Sequence, residues 1–127
     1  VLNWALENLA PCQSIFKNKW TTISYEETVL HPFQTIDMLV NEIDLDNKES
    51  MILRVSQLSK SSRLSTEDTK EHILRQNANY VVSKWKRYIS DNTEKDLMSV
   101  LDTFGIDVYK YAQTLPVTKY LNFPAAK

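Results

Sequence analysis

The sequence predicts an all-α protein, a compact bundle of five to seven short helices in orthogonal, HEAT-like packing. Its 127 residues suit one domain with a single core. It contains one glycine, although hairpins, bulges and phosphate-binding loops depend on that residue. Apolar residues recur at helical spacing along most of the chain. We therefore expect a single all-α domain over residues 1–127.

Three short helices are predicted in the first third of the chain. The first has an apolar face formed by Leu2, Ala5, Leu6 and Leu9. Pro11 should end it, because proline cannot donate the next helical hydrogen bond. A capping box from Ser24 to Glu27 predicts a second helix that begins at Tyr25. Pro32 suits the first position of a third helix. The apolar face of that helix comprises Phe33, Ile36, Leu39, Val40 and Ile43.

The middle of the chain carries the strongest helical pattern. A fourth helix follows the acidic break DLDNKES, with apolar residues Met51, Ile52, Val55 and Leu58. The serine-rich loop 59–65 then leads into one long helix over residues 66–90, whose start Ser65 and Asp68 can cap. The apolar residues of the long helix fall within about a third of its circumference. They are Leu74, Ala78, Val81, Val82, Trp85, Tyr88 and Ile89.

Further helices are expected over residues 93–123. A second capping box, from Thr93 to Asp96, opens the first of them. Gly105 should end it in the left-handed conformation, with Ile106 packing back on the helix. A short helix near residues 108–112 and an aromatic, proline-interrupted tail follow. The predicted core residues from this half of the chain are Leu74, Ala78, Val81, Trp85, Ile89, Leu97, Leu101 and Phe104.

Composition restricts the functional class. Fifteen basic and sixteen acidic residues leave a net charge of −1, so no global field attracts the chain to nucleic acid or to an anionic membrane. No apolar run approaches the roughly 18 residues of a membrane span, and the opening residues lack the pattern of a signal peptide. A single cysteine excludes an intramolecular disulfide and favours a reducing compartment. These features predict a nuclear or cytosolic protein.

Metal sites are not expected. The segment that starts at Asp44 begins like a calcium-binding loop, but Glu49 and Val55 replace its required glycine and its final glutamate. His31 and His72 lie in different elements without a ligand at zinc-binding spacing.

Catalysis and a cofactor are not expected either. No nucleophile elbow or glycine-built oxyanion turn accompanies Cys12 or any serine. The acidic pairs 26–27 and 67–68 fall in first helical turns, where they complement the backbone dipole. Carboxylates that converge only in the folded chain leave an all-α enzyme or cofactor binder as an alternative.

One side of the predicted long helix, away from its apolar face, suggests a partner-binding surface. Ile73, Tyr80, Lys84 and Arg87 follow helical spacing there, and with the loop at Ser59–Leu64 they could form a groove for a partner peptide. The C-terminal tail could instead cover Ile73 and Tyr80. A further alternative is nucleic-acid binding by Lys84, Lys86 and Arg87, although cations near a helix C-terminus also complement its dipole.

The segment ANYVVSKWKRYI, residues 78–89, resembles the end of the LW-type domain at the N-terminus of transcription elongation factor TFIIS. Similar domains occur in elongin A and in a Mediator subunit, and the integrase-binding domain of LEDGF is related. The resemblance covers residues 36–90, because IDMLVNEI looks like an upstream leucine-rich helix of the family. The glycine usual in the family's middle helix is missing, the loop 59–65 is longer, and Asn77 replaces an apolar residue.

This resemblance implies a non-catalytic protein-protein interaction domain. Such domains belong to nuclear transcription elongation or chromatin-associated proteins, and they dock short motifs of partner proteins. The family tryptophan lies in the core, so Trp85 is implied to be a packing residue. Protein partners are therefore expected, nucleic acid is the alternative, and no membrane partner is implied.

Overall fold

The computed structural model describes residues 1–12, 20–55, 57 and 65–123. Within them the chain forms seven α-helices, two 3₁₀ segments and no strand, which confirms the all-α prediction. The helices are α1 (Leu2–Cys12), α2 (Tyr25–Leu30), α3 (Pro32–Ile43), α4 (Lys48–Arg54), α5 (Glu67–Leu74), α6 (Ala78–Ser83) and α7 (Asp91–Thr103). The 3₁₀ segments are Lys84–Arg87 and Thr118–Tyr120.

The chain divides into two compact units. The first comprises Val1–Ser24 and Trp85–Lys127, and the second comprises Tyr25–Lys84. In the first unit α1 packs against α7, and the buried core residues are Ala5, Leu101, Ile106 and Val108. In the second unit α2 packs against α3 and α6, while α3 packs against α4 and α5 against α6. The assignment of residues 1–127 to a single domain stays a prediction.

Helix α7 ends in the motif that the sequence predicts. Gly105 has a φ of 65°, in the left-handed region. The Gly105 amide donates to the Asp102 carbonyl at 3.0 Å, and the Ile106 amide donates to the Leu101 carbonyl at 3.0 Å. These two bonds form a Schellman motif, and Ile106 is 2% exposed. The glycine stop and the inward packing of Ile106 are confirmed.

Several helix ends differ from the predictions. The cap of α7 is the side chain of Ser90, which accepts from the Thr93 amide at 3.2 Å, so the helix begins before the predicted box. Thr66 caps α5 in the same way, in place of Ser65 and Asp68. Pro11 lies inside the last turn of α1. By contrast, α2 begins at Tyr25 as predicted, and a proline opens α3.

The predicted continuous helix over residues 66–90 is wrong. Gln76 takes a φ of 55° and separates α5 from α6, and residues after Ser83 continue as a 3₁₀ segment. Because of this break, the side chains of α5 and those of α6 do not project from one common helix axis. A projection of one continuous helix therefore placed Leu74 in the core, whereas it is 60% exposed.

The other predicted core residues vary in burial. Val81 and Leu101 are buried, and Phe104 packs against the core of the first unit. Ala78, Trp85, Ile89 and Leu97 are half-buried.

Two further local predictions are also wrong. Residues 108–112 form no helix, because the chain turns there. The inner face of α1 consists of Ala5, Leu9 and Cys12, whereas Leu2 and Leu6 are more than half exposed.

Replacing Gly105 tests the left-handed stop. A Cβ at this position would meet nothing within 4 Å, so Gly105→Ala isolates the backbone cost. We expect the free energy of unfolding to fall by about 1–2 kcal/mol, because a side chain disfavours the left-handed conformation. Urea denaturation measures this change, with Asn92→Ala on the exposed side of α7 as the control, expected to stay within about 0.5 kcal/mol. If Gly105→Ala and Asn92→Ala are equally stable, the left-handed stop at Gly105 is not a constraint on the fold.

Candidate functional site

An open groove of about 240 Å³ lies within the first unit. We call it the aromatic groove, after the four aromatic side chains in its wall, Trp4, Trp20, Tyr109 and Tyr120. The remaining apolar lining consists of Pro11, Cys12, Ile23, Val108, Pro116 and Leu121. The polar lining consists of Asn8, Thr22, Ser24, Lys119 and Asn122. The groove is therefore mainly apolar, with polar groups interspersed.

Two tryptophans give the groove exposed aromatic surface. Trp4 is 38% exposed and Trp20 is 55% exposed. The Trp4 ring meets Tyr109 edge to face, with 6.2 Å between ring centroids. The ring quadrupoles favour such a pair. Trp20 therefore offers the larger free surface, while Trp4 belongs to a packed wall.

Hydrogen bonds hold the groove's non-helical walls. The Val117 amide donates to the Val108 carbonyl at 2.8 Å, which closes the chain between them into a loop. The Asn122 side chain donates to the Thr22 carbonyl at 2.8 Å and connects two walls that are distant in sequence. On α1, the Asn8 side chain donates to the Trp4 carbonyl. The groove thus depends on α1 and on two loop segments that hydrogen bonds hold in place, one between Val108 and Val117 and one at Thr22.

Asp107 anchors the 3₁₀ segment that carries two groove residues. Its carboxylate oxygens accept from the Lys119 ammonium at 2.5 Å and from the Tyr120 hydroxyl at 2.7 Å. These hydrogen bonds, from Lys119 first and Tyr120 second, hold the pKa of Asp107 below its ordinary value. The pKa of the Tyr120 hydroxyl is raised, mainly by burial and secondly by its hydrogen bond to Asp107. The charge of Lys119 is therefore balanced at the groove.

Cys12 is a poor nucleophile in this position. Burial raises the pKa of its thiol, and the negative charge of Asp107 raises it further. The thiolate is the reactive form, so the neutral thiol present near pH 7 reacts slowly. Cys12 thus serves as part of the apolar wall.

A second feature of the first unit is a turn bordered by two lysines. The turn spans residues 110–113, and its left-handed residue is Ala112, with a φ of 63°. The buried carboxylate of Glu94 accepts from the Ala112 amide at 2.7 Å, and Lys86 donates to the Ala112 carbonyl at 2.8 Å. The Lys95 ammonium lies 5.1 Å from the ring centroid of Tyr111. We call Lys86, Lys95 and this turn the basic turn.

None of the residues predicted to bind a partner lines the aromatic groove. Tyr80, on α6, stacks on His72 with 3.5 Å between ring centroids, and its hydroxyl donates to Asp68. Tyr80 therefore joins α6 to α5. Ile73 is a half-buried residue of α5. The predicted loop at Ser59–Leu64 lies outside the described residues.

The two predicted cations fall in different units. Lys84 is half-buried in the second unit, and Arg87 is exposed in the first. Because the helix is interrupted, Ile73, Tyr80, Lys84 and Arg87 do not form one helical stripe.

The described residues form neither a metal-binding cluster nor a membrane-spanning helix. Within residues 1–12, 20–55, 57 and 65–123, no group of three His, Cys, Asp or Glu side chains could hold a metal ion. None of the helices in the described part of the chain is long and apolar enough to cross a membrane.

The sequence did not predict the aromatic groove, because most of its wall is not helical. Helical periodicity carries no information about Trp20, Tyr109 and Tyr120, which lie in loops or in a 3₁₀ segment. The available signal was the concentration of aromatic residues and prolines after residue 107.

Stability measured against pH tests the role of Asp107. A carboxylate whose pKa is lowered by folding stabilises the protein above its unfolded pKa, and that contribution is lost as pH falls through the folded pKa. Wild type should therefore melt higher than Asp107→Asn at pH 7, and the difference in Tm should shrink below about pH 4. Tyr120→Phe removes one hydrogen bond and should show a smaller difference with the same trend. A difference in Tm that stays constant down to about pH 2.5 would contradict this role.

Comparison with known proteins finds no matching family model, no similar curated protein and no similar solved structure.

Proposed function

We propose that this chain is a non-catalytic protein-protein interaction domain whose aromatic groove docks a short segment of a partner protein. The observation that carries the proposal is the open, mainly apolar groove with Trp4, Trp20, Tyr109 and Tyr120 in its wall. Tryptophan and tyrosine dominate binding energy at protein interfaces, because they combine a large apolar surface with a polar group.

The size of the groove favours a peptide over a small molecule. Its volume of about 240 Å³ is below the roughly 300–1,000 Å³ of typical ligand pockets. An open groove of this size can hold one or two side chains of a segment whose backbone stays outside. Peptide recognition often uses such anchors, with neighbouring residues adding specificity.

The chemistry of the lining argues against catalysis in the groove. The lining includes the neutral thiol of Cys12, and the carboxylate of Asp107 contacts two other lining residues, Lys119 and Tyr120. Asp107 already accepts hydrogen bonds from Lys119 and Tyr120, which keep it ionised and occupied. Neither group is poised as a nucleophile or as a general acid near neutral pH.

The setting that we propose for this domain is nuclear, within a transcription elongation or chromatin-associated protein. Its support is the resemblance of residues 36–90 to the LW-type domain. That resemblance supports the interaction class, whereas the position of the groove rests on the geometry of the first unit.

Selection from a displayed library of random short peptides tests the docking proposal. We expect peptides enriched on wild type to lose about tenfold or more in affinity for Trp20→Ala, because truncation of an aromatic anchor removes more than about 1.4 kcal/mol of binding energy. Fluorescence anisotropy measures the affinity. Bound peptide should also protect Cys12, the only cysteine of the chain, from alkylation.

Tyr88→Ala is the matched control for this selection. Tyr88 belongs to the first unit, is 74% exposed and lies outside the groove. Its truncation should leave peptide affinity unchanged. If no peptide is enriched, or if the enriched peptides bind Trp20→Ala as tightly as wild type, the docking proposal is wrong.

A further inference from the structure

The two lysines that border the basic turn are positively charged and have no carboxylate partner at the described surface of the first unit. Among the described residues, neither Lys86 nor Lys95 takes part in an ion pair. Both side chains are exposed. Lys119, at the groove itself, is by contrast paired with Asp107. The basic turn therefore carries positive charge that is available to a partner.

The position of these lysines is fixed by the turn. Lys86 donates to the Ala112 carbonyl at 2.8 Å, and Lys95 lies 5.1 Å from the centre of the Tyr111 ring. Glu94 accepts from the Ala112 amide on the buried side and contributes one negative charge. The ammonium groups of Lys86 and Lys95, together with Lys110 in the turn itself, thus outnumber one buried carboxylate, so the turn attracts an anion.

The basic turn is close to the aromatic groove along the chain. Tyr109 lines the groove, and Tyr111 belongs to the turn two residues later. Their Cα atoms can be no more than about 7.6 Å apart, because consecutive Cα atoms are separated by 3.8 Å. A peptide anchored in the groove needs only about two or three further residues to reach the lysines.

We infer that the segment bound by the aromatic groove is acidic, with Asp or Glu side chains next to its apolar anchor that meet Lys86 and Lys95. This inference rests on the proposed docking function and specifies its partner. Charge complementarity favours it, because these cations contact a turn that directly follows Tyr109 of the groove, and the charge of Lys119 in the groove is balanced by Asp107.

A nucleic acid is less well matched to this surface. Binding to a phosphate backbone depends on many cations in a continuous track, and the whole chain has a net charge of −1. Two lysines suit one or two carboxylates of a peptide.

Two matched peptide libraries test the inference. One library contains Asp and Glu, and the other contains Asn and Gln at the same positions. We expect the acidic library to give the tighter binders, with affinity dependent on Trp20. Lys95→Gln and Lys86→Gln should each weaken them about two- to fivefold, as expected for exposed charge pairs, and added salt should have the same effect. Lys48→Gln, which removes the same charge from the second unit, is the control and should leave affinity unchanged.

The outcomes separate the two proposals. Equal binding by both libraries, dependent on Trp20 but not on Lys86 or Lys95, would overturn the acidic partner and leave the docking groove in place. Absence of Trp20-dependent binders from both libraries would overturn both proposals. A single-stranded oligo(dT) that binds through Lys86 and Lys95 more tightly than any acidic peptide would also overturn the acidic partner.

Discussion

The reversal of the chain at Gly105 is the constraint on which the first unit depends. α7 could not end this abruptly without a residue that accepts a left-handed conformation. The bond from the Ile106 amide to the Leu101 carbonyl then turns the chain back, and Ile106 enters the core with Ala5 and Val108. The segment after this reversal carries Asp107, two groove tyrosines and the turn at residues 110–113. Failure of the reversal would therefore remove the candidate site together with the core.

The contrast between Gly105 and Gln76 explains how much of the fold could be predicted. Glycine and proline act through their own backbones, so the sequence correctly indicated the stop at Gly105 and the helix start at Pro32. Gln76 adopts a left-handed conformation without any local signal. Two backbone bonds end α5 there, as they end α7 at Gly105: the Gln76 amide donates to the Ile73 carbonyl at 3.0 Å, and the next amide donates to the His72 carbonyl at 2.9 Å. Periodicity alone reveals neither these bonds nor the stacking of Tyr80 on His72.

The same reasoning explains why the sequence did not indicate the aromatic groove. A helical projection compares residues on one axis, so it identified Tyr80 as an outward aromatic residue. In the folded chain Tyr80 donates to Asp68 and packs between helices, while Trp20 and Tyr120 reach the groove from segments without periodic structure. Residues in loops become neighbours through long-range bonds such as that between Asn122 and Thr22. Binding sites on loops are common, because loops position side chains with few constraints from regular structure.

In the proposed docking function, the distribution of charge within the first unit gives affinity and selectivity to different residues. Asp107 neutralises Lys119 beside the apolar wall, so the groove can bury aromatic surface without also burying an unpaired cation, which would be costly. The lysines of the basic turn remain in water, where a charge pair contributes little energy but changes the rate and specificity of association. Their field extends only about 8–10 Å at physiological salt. Tyr109 of the groove directly precedes the turn in sequence, so a peptide seated there would begin next to the turn. A partner would therefore gain its affinity from the aromatic anchor, and the lysines would decide which of several apolar segments is retained.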